Sequence, residues 1–131
     1  MSVIDMVSRQ VAATIPVERG PDEVQVVNGS AYVTTAGDNA LSVIDTTSRK
    51  VIETIPVGKT PDGWVADPGT HTVYITNSHD DSMLVVDPQA RKITATVKVG
   101  KGPDGIAVDT ATHIVYTVNE GDGTVSVIAT A

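Results

Sequence analysis

Ser42-Val43-Ile44-Asp45 returns as Leu84-Val85-Val86-Asp87 and again as Ser126-Val127-Ile128-Ala129, each copy 42 residues after the one before. Tyr32, Tyr74 and Tyr116 keep the same interval. A fourth copy, Ser2-Val3-Ile4-Asp5, stands only 40 residues ahead of the next, because the Asn28-Gly29 turn between them is two residues shorter than its counterparts. The repeated unit therefore carries fixed strands and adjustable turns.

Each repeat runs through four strand-like segments. The first reads EVQVV (23–27), GWVAD (63–67) or GIAVD (105–109), small and apolar as suits an innermost strand. The second reads AYVTT (31–35), TVYIT (72–76) or HIVYTV (113–118), a near-continuous run that implies burial on both faces. The third is the SVID copy. The fourth reads QVAATIPV (10–17), KVIETIPV (50–57) or KITATVKV (92–99). Its alternation places Val51, Ile55 and Val57 on one face and Ile52, Thr54 and Pro56 on the other. Pro16 and Pro56 mark it as an edge strand, where a missing N–H is tolerated. Asn28-Gly29, Asp67-Pro68-Gly69 and the Pro-Asp pairs at 21–22, 61–62 and 103–104 supply the turns. A period of about 40 residues with four strands is the mark of a β-propeller blade. The expected fold is all-β, a single domain over residues 1–131 with three blades of four antiparallel strands.

The chain resembles the YVTN-type β-propeller repeats of surface-layer and lactonase-like proteins. The resemblance rests on Tyr32-Val33-Thr34-Thr35, Tyr74-Ile75-Thr76-Asn77 and Tyr116-Thr117-Val118-Asn119, with VIDT (43–46), TIPVG (54–58) and GPDGIAVD (102–109), and it spans essentially the whole chain. It implies the fold and leaves activity open, since one fold hosts many functions. Such proteins usually carry a full ring of blades in one polypeptide, whereas this sequence holds three.

Three blades do not close a ring. If each bare end face exposes several hundred Å² of apolar surface, at roughly 25 cal/mol per Å² the cost is on the order of ten kcal/mol per face. A homodimer with six blades is the expected remedy, ahead of an excerpt of a longer protein or a larger assembly. Ser2–Asp5 and Thr124–Ile128 then compete for one place in the shared blade.

Composition sets limits. With 9 basic and 16 acidic residues the net charge is −7, which argues against a nucleic-acid partner. The absence of Cys removes disulfides, thiolate metal sites and a cysteine nucleophile. No leader-like segment or membrane span is visible in MSVIDMVSRQ or beyond, so a cytoplasmic protein is the simplest expectation, and an extracellular one if the sequence has been trimmed. There is no phosphate-binding glycine loop, no His-Glu-x-x-His run and no nucleophile elbow.

Chemistry is expected where the loops leading into each blade meet the loops joining its second and third strands. These gather Asp22, Asp38, Asp62, Asp80, Asp81, Asp104, Glu120 and Asp122 against Arg19, Lys59 and Lys101. An acidic channel mouth can attract a cation, and a hard divalent ion is the one cofactor conceivable there. Asp38, Asp80 and Asp122 recur with the period, as do Asp22, Asp62 and Asp104, so turn hydrogen bonding explains them more simply. Residues that break the repeat are better candidates. Trp64 replaces Val24 and Ile106, and is expected to face the channel; His79 replaces Gly37 and Gly121 beside Asp80 and Asp81. His71 and His113 read as surface residues of the opposite face. The favoured function is a non-catalytic binding module, with Trp64, Asp80, Asp81, Glu120, Asp122, Lys59 and Lys101 contacting a small molecule or protein. The alternative is a small lyase, isomerase or cyclase in which His79 acts as general acid or base beside a Trp64 wall.

Overall fold

The computed structural model describes residues 1–129, and these contain strands and turns but no helix. No helix long and apolar enough to cross a membrane is therefore present among them. In chain order the strands are β1 (Ser2–Asp5), β2 (Gln10–Thr14), β3 (Pro21–Val27), β4 (Ser30–Thr35), β5 (Ala40–Asp45), β6 (Lys50–Pro56), β7 (Pro61–Asp67), β8 (Thr72–Asn77), β9 (Ser82–Asp87), β10 (Lys92–Lys98), β11 (Pro103–Asp109), β12 (Ile114–Asn119) and β13 (Thr124–Ala129). They form antiparallel sheets in the orders β3-β4-β5-β6 and β7-β8-β9-β10, flanked by a two-stranded β1-β2 and a three-stranded β11-β12-β13. The repeated four-strand order is the one expected from the sequence. Pro56 ends the open-edge strand β6, as its missing N–H requires.

Turn chemistry explains why each hairpin forms. The Asp that closes the first three SVID copies accepts backbone N–H groups two and three residues on: Asp5 from Val7 and Ser8, Asp45 from Thr47 and Ser48, Asp87 from Gln89 and Ala90. These Asx turns deliver Arg9, Arg49 and Arg91 into the left-handed region at φ of 58°, 58° and 57°. Asn28 and Gly29, both at positive φ, make the shortened hairpin between β3 and β4.

One sequence expectation needs correction. Strict alternation in the fourth segment is broken by a bulge: Val43 pairs with Glu53 but Ile44 pairs with Val51, leaving Ile52 as the extra residue. The same shift recurs at Ala12 in β2 and Thr94 in β10. Upstream of the bulge the faces are exchanged: Val51 pairs with Ile44 and leaves the face of Ile55, while Ile52 joins Tyr32 and Val43 around one hollow.

The sheets pack face to face and approach most closely at β3, β7 and β11, fanning outward from there. Between the two complete sheets lies the main core: Tyr32, Leu41, Val43 and Ile55 from one side, Trp64, Val73, Ile75, Leu84 and Val86 from the other. A second core joins β7–β10 to β11–β13 through Tyr74, Met83 and Val115, with Val65, Val85, Ile106, Val108 and Ile128 around them. The β1-β2 hairpin covers part of the first sheet, where Met1, Val3, Ile15, Ala31, Val33 and Ile44 cluster. Both end faces stay partly bare. Val24 and Val26 are 50% and 65% exposed at one end, and Val118, Val125 and Val127 are 50%, 57% and 63% exposed at the other.

Candidate functional site

The loops assigned to one face from sequence do meet there, and backbone hydrogen bonds show how. Within each blade the aspartate of the loop between second and third strands clasps the loop leading into the blade. Asp38 accepts from the Arg19 N–H at 2.8 Å, Asp80 from Lys59 at 3.0 Å and Asp122 from Lys101 at 2.8 Å. The next residue reaches across to the following blade. Asn39 accepts from the Thr60 N–H at 3.0 Å, and Asp81 from the Gly102 N–H at 2.9 Å. At the matching place in the last sheet stands Gly123, which has no side chain to offer. Four of the mouth carboxylates thus serve the frame first. In Asp38, the hydrogen bond from the Arg19 guanidinium, helped by the Arg19 N–H, also holds the carboxyl below its usual range.

His79 sits on the surface with Nδ1 2.5 Å from the Thr60 hydroxyl. Thr60 itself adopts φ of 54° where the other copies have Gly20 and Gly102. The pair is a local substitution of the turn, with Asp80 and Asp81 beside it but committed to Lys59 and Gly102. Trp64 corrects the expectation that it faces the channel. It is 1% exposed, sealed between the two complete sheets, and its indole meets Tyr32. A bulge between Pro61 and Trp64 sets that direction. Its backbone N–H donates to the Glu23 carboxylate at 3.1 Å, and its carbonyl accepts from Gln25 at 3.2 Å, tying the innermost strands together.

What remains at the mouth is a shallow acidic surface. One depression of about 660 Å³ is lined by Asp62, Ser78, Gly102, Asp104, Glu120 and Gly121. An adjoining one of about 410 Å³ shares Asp62 and Asp104 and adds Asp22 and Glu23. Among the described residues no three His, Asp or Glu side chains come together in a way that could hold a metal ion. Lys59 and Lys101 contribute their backbone N–H groups to the clasps and form no ion pair with the mouth acids.

The opposite face holds features that sequence reasoning missed. His113 Nδ1 donates to Asp67 Oδ2 at 2.5 Å, and Asp67 is fully buried. Burial acts to raise the Asp67 carboxyl, but the hydrogen bonds from His113 and the Gly69 N–H outweigh it and hold it below the usual range. His113 is thus a bridge between sheets and not a plain surface residue. Between the first two complete sheets a hollow of about 340 Å³ is lined by Asn28, Tyr32, Glu53, His71 and Arg91, with Glu53 and Arg91 paired at 3.0 Å. Asn28 of the shortened Asn28-Gly29 turn is part of its lining.

No family model matches the chain, and no curated protein matches it. Solved structures do. Hydrazine synthase of Kuenenia stuttgartiensis superposes with a TM-score of 0.80 at 23% identity, covering 85% of this chain and 33% of that one. A functionally unknown protein from Desulfotomaculum acetoxidans DSM 771 gives 0.73 at 16% identity over 95% of this chain and 46% of the other. Apo AztD from Citrobacter koseri gives 0.62 at 22%, over 70% and 26%. The class of protein is therefore an all-β, propeller-like one. The chain spans between a quarter and just under half the length of these neighbours.

Proposed function

We propose that the chain is a YVTN-type, non-catalytic binding module that completes a six-bladed ring with a second copy and receives a cationic small molecule or protein at the acidic mouth of the axial channel. The observation that carries this reading is the pair of unlike apolar end faces, Val24 and Val26 at one end and Tyr116, Val118, Val125 and Val127 at the other. Bare faces of this kind mark interaction surfaces. At the mouth, the carboxylates of Asp62, Asp104 and Glu120 have no hydrogen bond or ion pair among the described residues, and are free to meet a ligand.

The enzymatic alternative loses support from the burial of Trp64, which removes one wall of the imagined pocket, and from the tethering of His79 to Thr60. Sedimentation velocity tests the assembly: the mass of two chains is expected, and that of one chain refutes the ring. Titration calorimetry with a short oligolysine peptide tests the mouth. Binding should weaken steeply between low and physiological salt, disappear in the Asp62→Asn, Asp104→Asn double variant, and survive His79→Ala. Oligolysine binding unchanged by the double variant refutes the acidic mouth as the site.

A further inference from the structure

We propose that the two copies join by a strand handover, in which β13 of one copy takes the place of β1 beside β2 of the other. The inference rests on the two-copy reading above and specifies how the seam is built.

β1 and β13 are copies of one strand. β1 pairs with β2 in the register that β5 keeps with β6: Ser2 faces Thr14 as Ser42 faces Thr54, and Asp5 faces Gln10 as Asp45 faces Lys50. The β1-β2 hairpin is thus the outer half of a blade. The β11-β12-β13 sheet is the inner three strands of one, with the far edge of β13 unpaired. Joined, the two pieces hold one strand too many.

The faces fit on the template of the internal interfaces. Val43 is buried against the following sheet, and Val127 and Val3 occupy its equivalent position. Tyr32 meets Trp64 across the first internal interface; at the seam the equivalent pair is Tyr116 and Val24. An apolar hollow of about 330 Å³ at this end is lined by Ile15, Val24, Val26 and Ala31, which stay in place, and by Met1 and Val3, which leave with β1.

β1 is the strand that yields. It has four ladder partners, and Ile4 is 57% exposed. β13 has six, its Thr124 and Ser126 accept from the Asn119 amide at 3.2 and 2.9 Å, and Ile128 packs into the core around Met83. Releasing β13 would strand the buried Asn119 side-chain amide; releasing β1 frees only the backbone N–H and C=O of Ile15, now bonded to Met1, which Val125 would meet in the new pairing. In the new pairing Thr14 faces Ser126, as Thr96 faces Leu84 in β9-β10.

The chain has no cysteine, so engineered pairs report cleanly. The Thr14→Cys, Ser126→Cys double variant should give a disulfide-linked two-chain species on mild oxidation, since residues opposed on antiparallel strands bring their Cβ atoms within bridging range. In sedimentation velocity the Val127→Asp variant should run as one chain and the Val3→Asp variant as two. Val127 is exposed in the single chain, so its variant retains the fold. Dissociation by Val3→Asp, or a two-chain mass for Val127→Asp, overturns the handover while leaving the two-copy ring standing. A one-chain mass for the unsubstituted protein overturns the ring and the handover together.

Discussion

The indole of Trp64 stands edge-on to the ring of Tyr32, with centroids 5.6 Å apart and planes at 63°. This contact joins the two complete sheets where their inner strands converge, and it contains the only tryptophan of the chain. Trp64→Ala should cost about 3–5 kcal/mol, read from urea unfolding followed by far-ultraviolet circular dichroism. A double-mutant cycle with Tyr32→Leu and Trp64→Leu should return a coupling of about 0.5–1.5 kcal/mol. A coupling indistinguishable from zero would make the contact incidental.

The Asp67–His113 pair sets an acid limit. The folded-state pKa of Asp67 lies below its unfolded value, so its contribution is present above about pH 4 and is lost as pH falls through the folded value. Asp67→Asn should therefore show a shallower loss of stability than the parent below pH 4. At neutral pH, His113→Ala removes a donor from a buried carboxylate and should cost on the order of 1–3 kcal/mol. An acid unfolding profile for Asp67→Asn that overlays the parent would exclude this role.

Asn39 and Asp81 each hold the next sheet by one backbone hydrogen bond. Asn39→Ala and Asp81→Ala should each cost about 0.5–1.5 kcal/mol, and hydrogen exchange of the Thr60 and Gly102 amides should quicken in the respective variant alone. Exchange that quickens equally at both amides in either variant would show that the bonds are not independent.

Gly63 and Gly105 hold matching positions with different demands. A Cβ on Gly63 would lie 2.2 Å from the Asp104 carbonyl of the neighbouring sheet, while one on Gly105 would meet Val118 at 3.6 Å. Gly63→Ala should destabilise by about 1–3 kcal/mol, measured by thermal denaturation, and Gly105→Ala should fall within about 0.5 kcal/mol. Equal effects would mean that the inner strands are not in tight contact.

The strand order was legible because the repeat supplies its own controls: four copies of SVID-like text, three of them ended by a turn, leave little freedom in where hairpins fall. A framing role for Asp38, Asp80 and Asp122 was legible for the same reason, but not their partners: each accepts from a loop 19 to 21 residues away, while the turn hydrogen bonds expected of Asp22, Asp62 and Asp104 are not made by their carboxylates among the described residues. Side-chain direction was not. Strict alternation missed the bulge at Ile52, and the bulge before Trp64 turns the indole into the sheet interface, because one extra residue exchanges the faces. The His113–Asp67 bridge spans 46 residues and depends on how adjacent sheets fan, which no local pattern encodes.

Gly20 and Gly123 give the missing cross-blade bond a wider meaning. The two end faces are unlike, so copies joined through them, as proposed above, would meet head to tail, and contact of that kind either closes on itself or continues without limit. With no Asn or Asp at the Gly123 position to lock the seam, only curvature distinguishes a finished wheel from a growing fibre. A substitution that flattens the fan of the sheets is then a polymerisation mutation, even when each subunit folds as before.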